Sequence, residues 1–338
     1  MYYFFRADAS SIIGTGHIQR CLTLAKKLGP NCIFICANHN DNLINTIREQ
    51  GYVALTITPD KKPYGTTKNI HANWLGGSYL NDAMQTTKIL TKYSQKKMLI
   101  VDHYAISKPW HRLLREHVSH IMVIDDLADR EHDCDFLLDS NLYINLHARY
   151  NGLVPNACNK MLGIKYALLR DEFYYAPKRK RTQIKNVLVF FGGVDLDNHT
   201  MRAITSLDSN NLNVVVLVGS KNPHTKQIAK LCNEKSFTFK TATNNIASLM
   251  VWADISIGAG GGTAVERVAL GLPCITHSIA HNQQQLTHDI IQLGLAFPAQ
   301  KKITAIDNIA EISTNCLKKS YCQGAEAVAR VIKPVSCL

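Results

Sequence analysis

The residues that could carry chemistry cluster in three short stretches. Arg6-Ala7-Asp8 follows the apolar run Tyr2–Phe5 and leads into Gly14-Thr15-Gly16-His17. Two glycines without a Cβ let backbone N–H groups approach an oxygen-rich ligand, and the N-terminus of a following helix favours negative charge. The third glycine of a dinucleotide-binding fingerprint is absent, because Gln19 stands in its place. His17 falls in the first turn of the predicted helix. An imidazolium is disfavoured there, so the ring is expected to be neutral and able to accept a proton. A capping or surface histidine is the plainer alternative.

The second stretch is Asp102-His103-Tyr104, directly after Met98–Val101. Polar side chains at a strand's carboxyl end can bound a ligand and orient a base such as His17. Asp125-Asp126 after Ile121–Ile124 offers paired acids, but no third metal ligand is evident, and a site without metal or other cofactor is expected. The third stretch is Gly258-Ala259-Gly260-Gly261-Gly262-Thr263 with Glu266 one turn further on. A glycine cluster between strand and helix cradles phosphate through its backbone amides. It lacks the Gly-Lys-Ser/Thr of a P-loop, which argues against nucleoside triphosphate hydrolysis. Glu266 can accept hydrogen bonds from the vicinal hydroxyls of a ribose. Phe191-Gly192-Gly193-Val194-Asp195 makes a second glycine turn in the same half.

Those stretches need a scaffold, and the hydrophobic pattern supplies one. Tyr2–Phe5, Cys32–Cys36, Val53–Ile57, Met98–Val101 and Ile121–Ile124 read as buried strands, with Ile18, Cys21, Leu22, Ala25 and Leu28 at helical spacing between them. The alternation restarts with Val187–Phe191, Val214–Val218, Phe237–Lys240, Ile255–Ile257 and Pro273–Thr276, separated by helices at His224–Asn233, Thr263–Leu270 and Asn282–Leu293. Strand–helix alternation implies parallel sheets covered on both faces. The fold class is therefore α/β, two Rossmann-like domains facing across a cleft. The expected domains are 1–176 and 186–338, joined by Ala176–Lys185 with its proline and its basic run Lys178–Arg181, which reads as a solvated linker. A last helix is read at Ala325–Ile332, and the pattern leaves open whether it crosses back to the first domain.

Composition bounds the remaining possibilities. A chain of 338 residues with 46% hydrophobic and 19% charged residues is long enough for two packed cores. No apolar run reaches the roughly 18 residues of a membrane span. The opening Met1–Asp8 lacks a basic n-region, so a cytoplasmic protein without stable membrane association is expected. The ten cysteines contain no Cys-x-x-Cys and read as buried, reduced thiols. A net charge of +12 points to an anionic partner, but the basic run carries no interleaved aromatics, which disfavours nucleic acid. Oligomerisation leaves no readable signal, and a monomer is the default expectation.

At these same residues the chain resembles the UDP-sugar hydrolase family of pseudaminic acid biosynthesis. The resemblance runs through Arg6–Asp8, Ile13–His17, Val101–Tyr104, Ile124–Arg130, Ala167–Phe173, Phe191–Asp195, Gly260–Glu266, Leu270–Pro273 and His281-Asn282-Gln283 in collinear order. The later blocks are shared with a wider GT-B group. The resemblance implies hydrolysis of UDP-2,4-diacetamido-2,4,6-trideoxy-β-L-altropyranose to the free sugar and UDP, with inversion at C1. It implies His17 as catalytic base with Tyr104 beside it. Arg6, Asp8, Gly14, Thr15, Gly16, Asp102, His103 and Arg170 would lie on the sugar or diphosphate side, in the first domain. Gly192, Gly193, Asp195, Gly260, Gly261, Gly262, Thr263, Glu266, Asn282 and Gln283 would hold UDP in the second. Ser140 stands where relatives often carry glutamine, and no role is assigned to it. A GT-B glycosyltransferase, a hydrolysing UDP-sugar 2-epimerase and a non-catalytic anion-binding module remain the alternatives.

Overall fold

Continuous burial along each strand, with alternate side chains entering opposite faces, is what a covered parallel sheet requires. In strand β1 (Tyr2–Ala7), Tyr3, Phe5 and Ala7 enter one apolar cluster while Phe4 enters the other. The computed structural model describes residues 1–60, 69–207, 211–243 and 245–333. They divide into two units: 1–140, 145–168 and the stretch from Gly324 onward in the first, 141–144 and 169–323 in the second.

In chain order, the first unit holds β1, α1 (Gly16–Leu28), β2 (Cys32–Ala37), α2 (Ile44–Glu49), β3 (Val53–Ile57), α3 (Tyr79–Leu90), β4 (Lys97–Asp102), α4 (Lys108–Leu114), β5 (His120–Ile124), β6 (Phe136–Asp139) and β7 (Asn159–Leu162). Among the described residues its sheet has seven strands in the order β3-β2-β1-β4-β5-β6-β7, all parallel. Strand β1 lies between β2 and β4, in register Ala7 to Asp102, so the ends of β1 and β4 are neighbours at the carboxyl edge. Strands β6 and β7 and helix α3 were not legible as elements, because their apolar runs are short or broken by polar residues.

The second unit holds α5 (Asp171–Tyr175), β8 (Asn186–Phe190), α6 (His199–Ser206), β9 (Asn213–Val218), α7 (Thr225–Glu234), β10 (Thr238–Thr241), α8 (Ile246–Trp252), β11 (Ile255–Ala259), α9 (Thr263–Ala269), β12 (Cys274–His277), α10 (Gln284–Gln292), β13 (Phe297–Pro298) and α11 (Ile309–Lys319). Its parallel sheet runs β10-β9-β8-β11-β12-β13. The final helix, α12 (Gly324–Ile332), belongs to the first unit and packs on α1, with Lys27 Nζ 3.1 Å from Glu326.

The basic run at mid-chain is only half solvated: Lys178 and Lys180 are exposed, but Arg179 and Arg181 are bound to the second unit. Arg181 is fully buried, and its guanidinium donates to the carbonyls of Met250 (3.0 Å), Ala253 (3.3 Å), Arg179 (2.8 Å) and Leu270. Arg179 donates to Val251, Trp252 and Ala253 and pairs with Asp254 at 2.7 Å. A helix leaves its last carbonyls without internal partners, and two arginines satisfy those at the end of α8. Burial lowers the Arg181 guanidinium to a pKa of about 10. Of the nine described cysteines, eight are buried. Among the described residues, no helix is long and apolar enough to cross a membrane.

Candidate active site

In the first unit, the candidate site is built from charged side chains locked at the sheet's carboxyl edge. Beyond β1 the chain turns through Asp8 to Thr15. Ser10 Oγ accepts from the Ile13 amide at 3.0 Å, and the Gly14 amide donates to the Ser10 carbonyl at 2.9 Å. Gly14 closes this turn at φ +83°, a conformation that favours glycine. Helix α1 then starts at Gly16, with no side chain capping its first amides. His17 and Arg20 stand three residues apart and share a helix face. That face looks onto Asp102, at the end of β4.

Asp102 is fully buried and holds both groups. Its Oδ1 lies 2.6 Å from His17 Nδ1, and Arg20 binds both oxygens, through Nε at 2.5 Å and Nη2 at 2.6 Å. Burial alone would raise the Asp102 pKa, but the Arg20 guanidinium and the His17 ring outweigh it and hold the carboxyl well below the usual range. A carboxylate only accepts, so Nδ1 carries the ring proton and donates it. Arg20 Nη2 lies 3.3 Å from Nδ1, and both donate to the same oxygen. Nε2 is then the lone-pair nitrogen.

Tyr104 packs its ring against His17 with centroids 4.6 Å apart, near perpendicular. Its hydroxyl donates to Asp126, and Arg20 Nη1 reaches the other oxygen of Asp126 at 3.3 Å. Burial and the Asp126 charge push the Tyr104 phenol well above its ordinary pKa, so it stays protonated. His71 and Trp74 extend the aromatic wall, with Trp74 stacked on Tyr104 at 5.6 Å.

Three residues expected on the ligand side point elsewhere. Asp8 is fully buried, accepting from Arg6 at 2.6 Å and from the Ala37 amide at 2.7 Å. Arg6, also fully buried, spends its remaining donors on Asp82, which also accepts from the Trp110 indole at 2.9 Å. His103 turns inward, Nε2 3.1 Å from Asp8, while its Nδ1 accepts from the Ala105 amide. Charges removed from water survive only when paired, and this set pairs internally. Asp125 and Asp126 are likewise engaged, Asp125 by Arg130 at 2.8 Å and by the Ala128 amide at 2.9 Å. Among the described residues, no group of three or more His, Cys, Asp or Glu could hold a metal ion.

In the second unit, the corresponding edge is built from backbone. Strands β8 and β11 are neighbours, so the turn Gly192-Gly193 and the turn Gly260–Gly262 lie side by side. Gly192 has φ +99°, and a Cβ on Gly193 or Gly262 would meet nothing within 4 Å. Gly260 is a glycine for packing, because a Cβ there would strike Thr287 Oγ1. Gly261 faces the Gln283 amide, and Thr263 opens α9. Gln283 itself accepts from the Ile279 amide at 3.3 Å, and Asn282 is exposed beside it.

Two assignments change here. Asp195, at φ +50°, accepts from the His199 and Thr200 amides at 2.8 and 2.9 Å and from the Thr200 hydroxyl at 2.6 Å. Its carboxylate ties off the start of α6 and does not face a ligand. Arg170 belongs to the second unit. Its guanidinium sits 2.7 Å from Glu172 and 3.4 Å from Glu266. Burial raises the Glu266 pKa, against the opposing pull of Arg170 and Arg267. The sequence reading missed Arg20, Asp82, Trp74 and Arg267. Only Arg20 left a signal, its i+3 spacing from His17.

Residues 186–304, which contain both glycine turns, match the glycosyltransferase family 28 C-terminal domain. Those residues lie in the second unit. The chain is 29% identical over 251 residues, 74% of this chain and 81% of the relative, to the UDP-2,4-diacetamido-2,4,6-trideoxy-beta-L-altropyranose hydrolase of Campylobacter jejuni. Among solved structures it is similar to MurG of Acinetobacter baumannii (TM-score 0.59, 12% identity, 98% of this chain and 99% of that one). It is also similar to UGT89C1 of Arabidopsis thaliana (TM-score 0.63, 8% identity, 98% of each chain). At those identities the likeness gives the fold: two parallel-sheet α/β domains of the GT-B type. The match to that domain in the second unit, and a sheet edge lined with side chains in the first, narrow the chemistry to be explained.

Proposed function

We propose that the chain hydrolyses a UDP-sugar at its anomeric carbon. One observation carries this reading: His17 donates Nδ1–H to a buried, ionised Asp102 and so keeps Nε2 as a proton acceptor. In the proposed step Nε2 takes a proton from water as the water oxygen bonds to C1. The C1–O bond to the β-phosphate breaks, and its electron pair leaves with UDP. The sugar is released inverted. Tyr104, with its hydroxyl committed to Asp126, acts through its ring as a wall beside the base.

The glycine turns of the second unit are proposed to meet the diphosphate with backbone N–H groups, and Glu266 to accept from the ribose hydroxyls. Gly192, Gly193, Gly261, Gly262, Thr263, Asn282 and Gln283 are the residues assigned to that task. The sugar is taken to be the 2,4-diacetamido-2,4,6-trideoxy-altrose named for the Campylobacter jejuni relative, which would place the enzyme in pseudaminic acid biosynthesis. A cytoplasmic monomer is part of the same proposal.

The family 28 domain favours one rival, a glycosyltransferase using a sugar or lipid hydroxyl in place of water. Incubation with that UDP-sugar, EDTA and no acceptor separates the two. UDP release with free sugar supports hydrolysis, and release only on adding an acceptor overturns it. His17→Asn should abolish turnover and leave UDP affinity unchanged, whereas a near-normal rate would remove His17 from the role of base.

A further inference from the structure

Among the described residues, Arg20 is the only cation that binds Asp102 and Asp102 the only carboxylate that binds His17. The other donor near Asp102 is the Cys21 thiol at 3.6 Å, which burial holds in its neutral form. Arg20 also spans to Asp126, the acceptor of the Tyr104 hydroxyl. One guanidinium therefore links the two carboxylates that fix the base and its aromatic neighbour.

We infer that Arg20 is a positioning residue: by neutralising Asp102 it leaves the His17 ring only to be oriented by that carboxylate, with Nε2 as the accepting nitrogen. The inference rests on His17 serving as the base. A fully buried carboxylate requires a positive partner. With Arg20 present that requirement is met, and the imidazole need only orient. Without Arg20, the imidazole is the one group left that can supply the charge. Nε2 would then bind a proton before water arrives, and the base would be spent in the resting enzyme. The other titratable or charged groups around the ring are His103 and Tyr104 beyond β4, Asp126 beyond β5, Arg130 over the Tyr104 ring and His71 beside Trp74. His103 is taken up by Asp8, and burial lowers the His71 pKa, so neither replaces Arg20 as the counter-charge.

The test is the pH–rate profile of Arg20→Gln and Arg20→Lys against the wild type, with UDP-2,4-diacetamido-2,4,6-trideoxy-altrose. For Arg20→Gln the acidic limb of kcat/KM should move up by about one pH unit or more, with rate recovered in alkali. Arg20→Lys, which keeps the charge and loses the two-pronged grip, should move it less. An equal loss at every pH, with the limb unmoved, overturns the inference. A second readout needs no turnover: long-range ¹H–¹⁵N spectra of the histidines in ligand-free protein. The wild type should show His17 as the Nδ1–H tautomer at pH 8, and Arg20→Gln should titrate at higher pH. An Nε2–H tautomer in the wild type overturns the inference even if the glutamine variant does not fold. If the enzyme proves not to hydrolyse UDP-sugars while the spectra behave as expected, the functional reading falls and the Arg20 assignment stands.

Discussion

The two units place their candidate groups at the same point of the same architecture, the carboxyl edge of a parallel sheet, yet build them from different material. The first uses side chains: Asp102, Asp8, Asp82 and Asp125 are all buried and all paired with arginine or histidine. The second uses backbone: two glycine turns on adjacent strands, with its buried Asp195 spent on a helix start. The difference fits the two tasks proposed for them. A proton acceptor must be one nitrogen held in one orientation, which takes a carboxylate to fix it and a cation to fix the carboxylate. A diphosphate spreads its charge over many oxygens, and amides without a Cβ in the way can meet several at once.

Substitutions can break that comparison. The largest effect is expected at Asp102→Asn, which offers His17 an amide in place of a carboxylate and loosens the tautomer. We expect kcat to fall by about 10²–10⁴-fold with UDP affinity unchanged by calorimetry. A parallel loss of UDP affinity would erase the division of labour. Next is Asp82→Ala, which leaves the fully buried Arg6 guanidinium with Asp8 as its remaining carboxylate and removes the partner of the Trp110 indole. Urea unfolding should show a loss of about 3–5 kcal/mol, as for other broken buried ion pairs. In the second unit, Gly260→Ala drives a methyl into Thr287 and should cost about 1–3 kcal/mol. Glu266→Gln should weaken UDP about tenfold, equal to about 1.4 kcal/mol, and leave kcat in place.

The smallest effect is on acid stability. Burial lowers the pKa of His111 well below its ordinary value and also lowers that of His103. For a depressed group the unfolded chain binds the proton first, so stability is complete above the unfolded value of about 6.5 and declines as pH falls below it. The depressed carboxyls of Asp8, Asp102 and Asp125 extend the same decline below about pH 4. A urea midpoint that is lower at pH 5.5 than at pH 8 fits this sign. In His111→Asn the drop between those pH values should shrink.

The sequence was most readable where one physical signal dominated. Continuous apolar runs marked β1, β4, β5, β8 and β9, and glycine clusters marked the turns of the second unit, because strand burial and close backbone approach leave local traces. Partnerships across the fold leave none. Nothing near Arg6 announces Asp82, which lies 76 positions away, and Arg181 in a basic run looks solvated until α8 brings its carbonyls to it. Asp195 was misread for a related reason: a carboxylate after a glycine turn suits a ribose and a helix start equally well, and only the amides of His199 and Thr200 decide. His17 and Asp102 were both legible as candidates. That Arg20 stands behind them depended on the register between β1 and β4.

The central claim is attack of water on the sugar carbon by a His17-based site, and the route of the oxygen tests it most directly. Turnover in H₂¹⁸O, followed by ³¹P NMR of the UDP formed, reports which bond breaks. The account predicts UDP whose β-phosphate carries no ¹⁸O, free sugar appearing first as the inverted anomer, and neither product from His17→Asn. An isotope-shifted β-phosphate would mean attack at phosphorus and would contradict it.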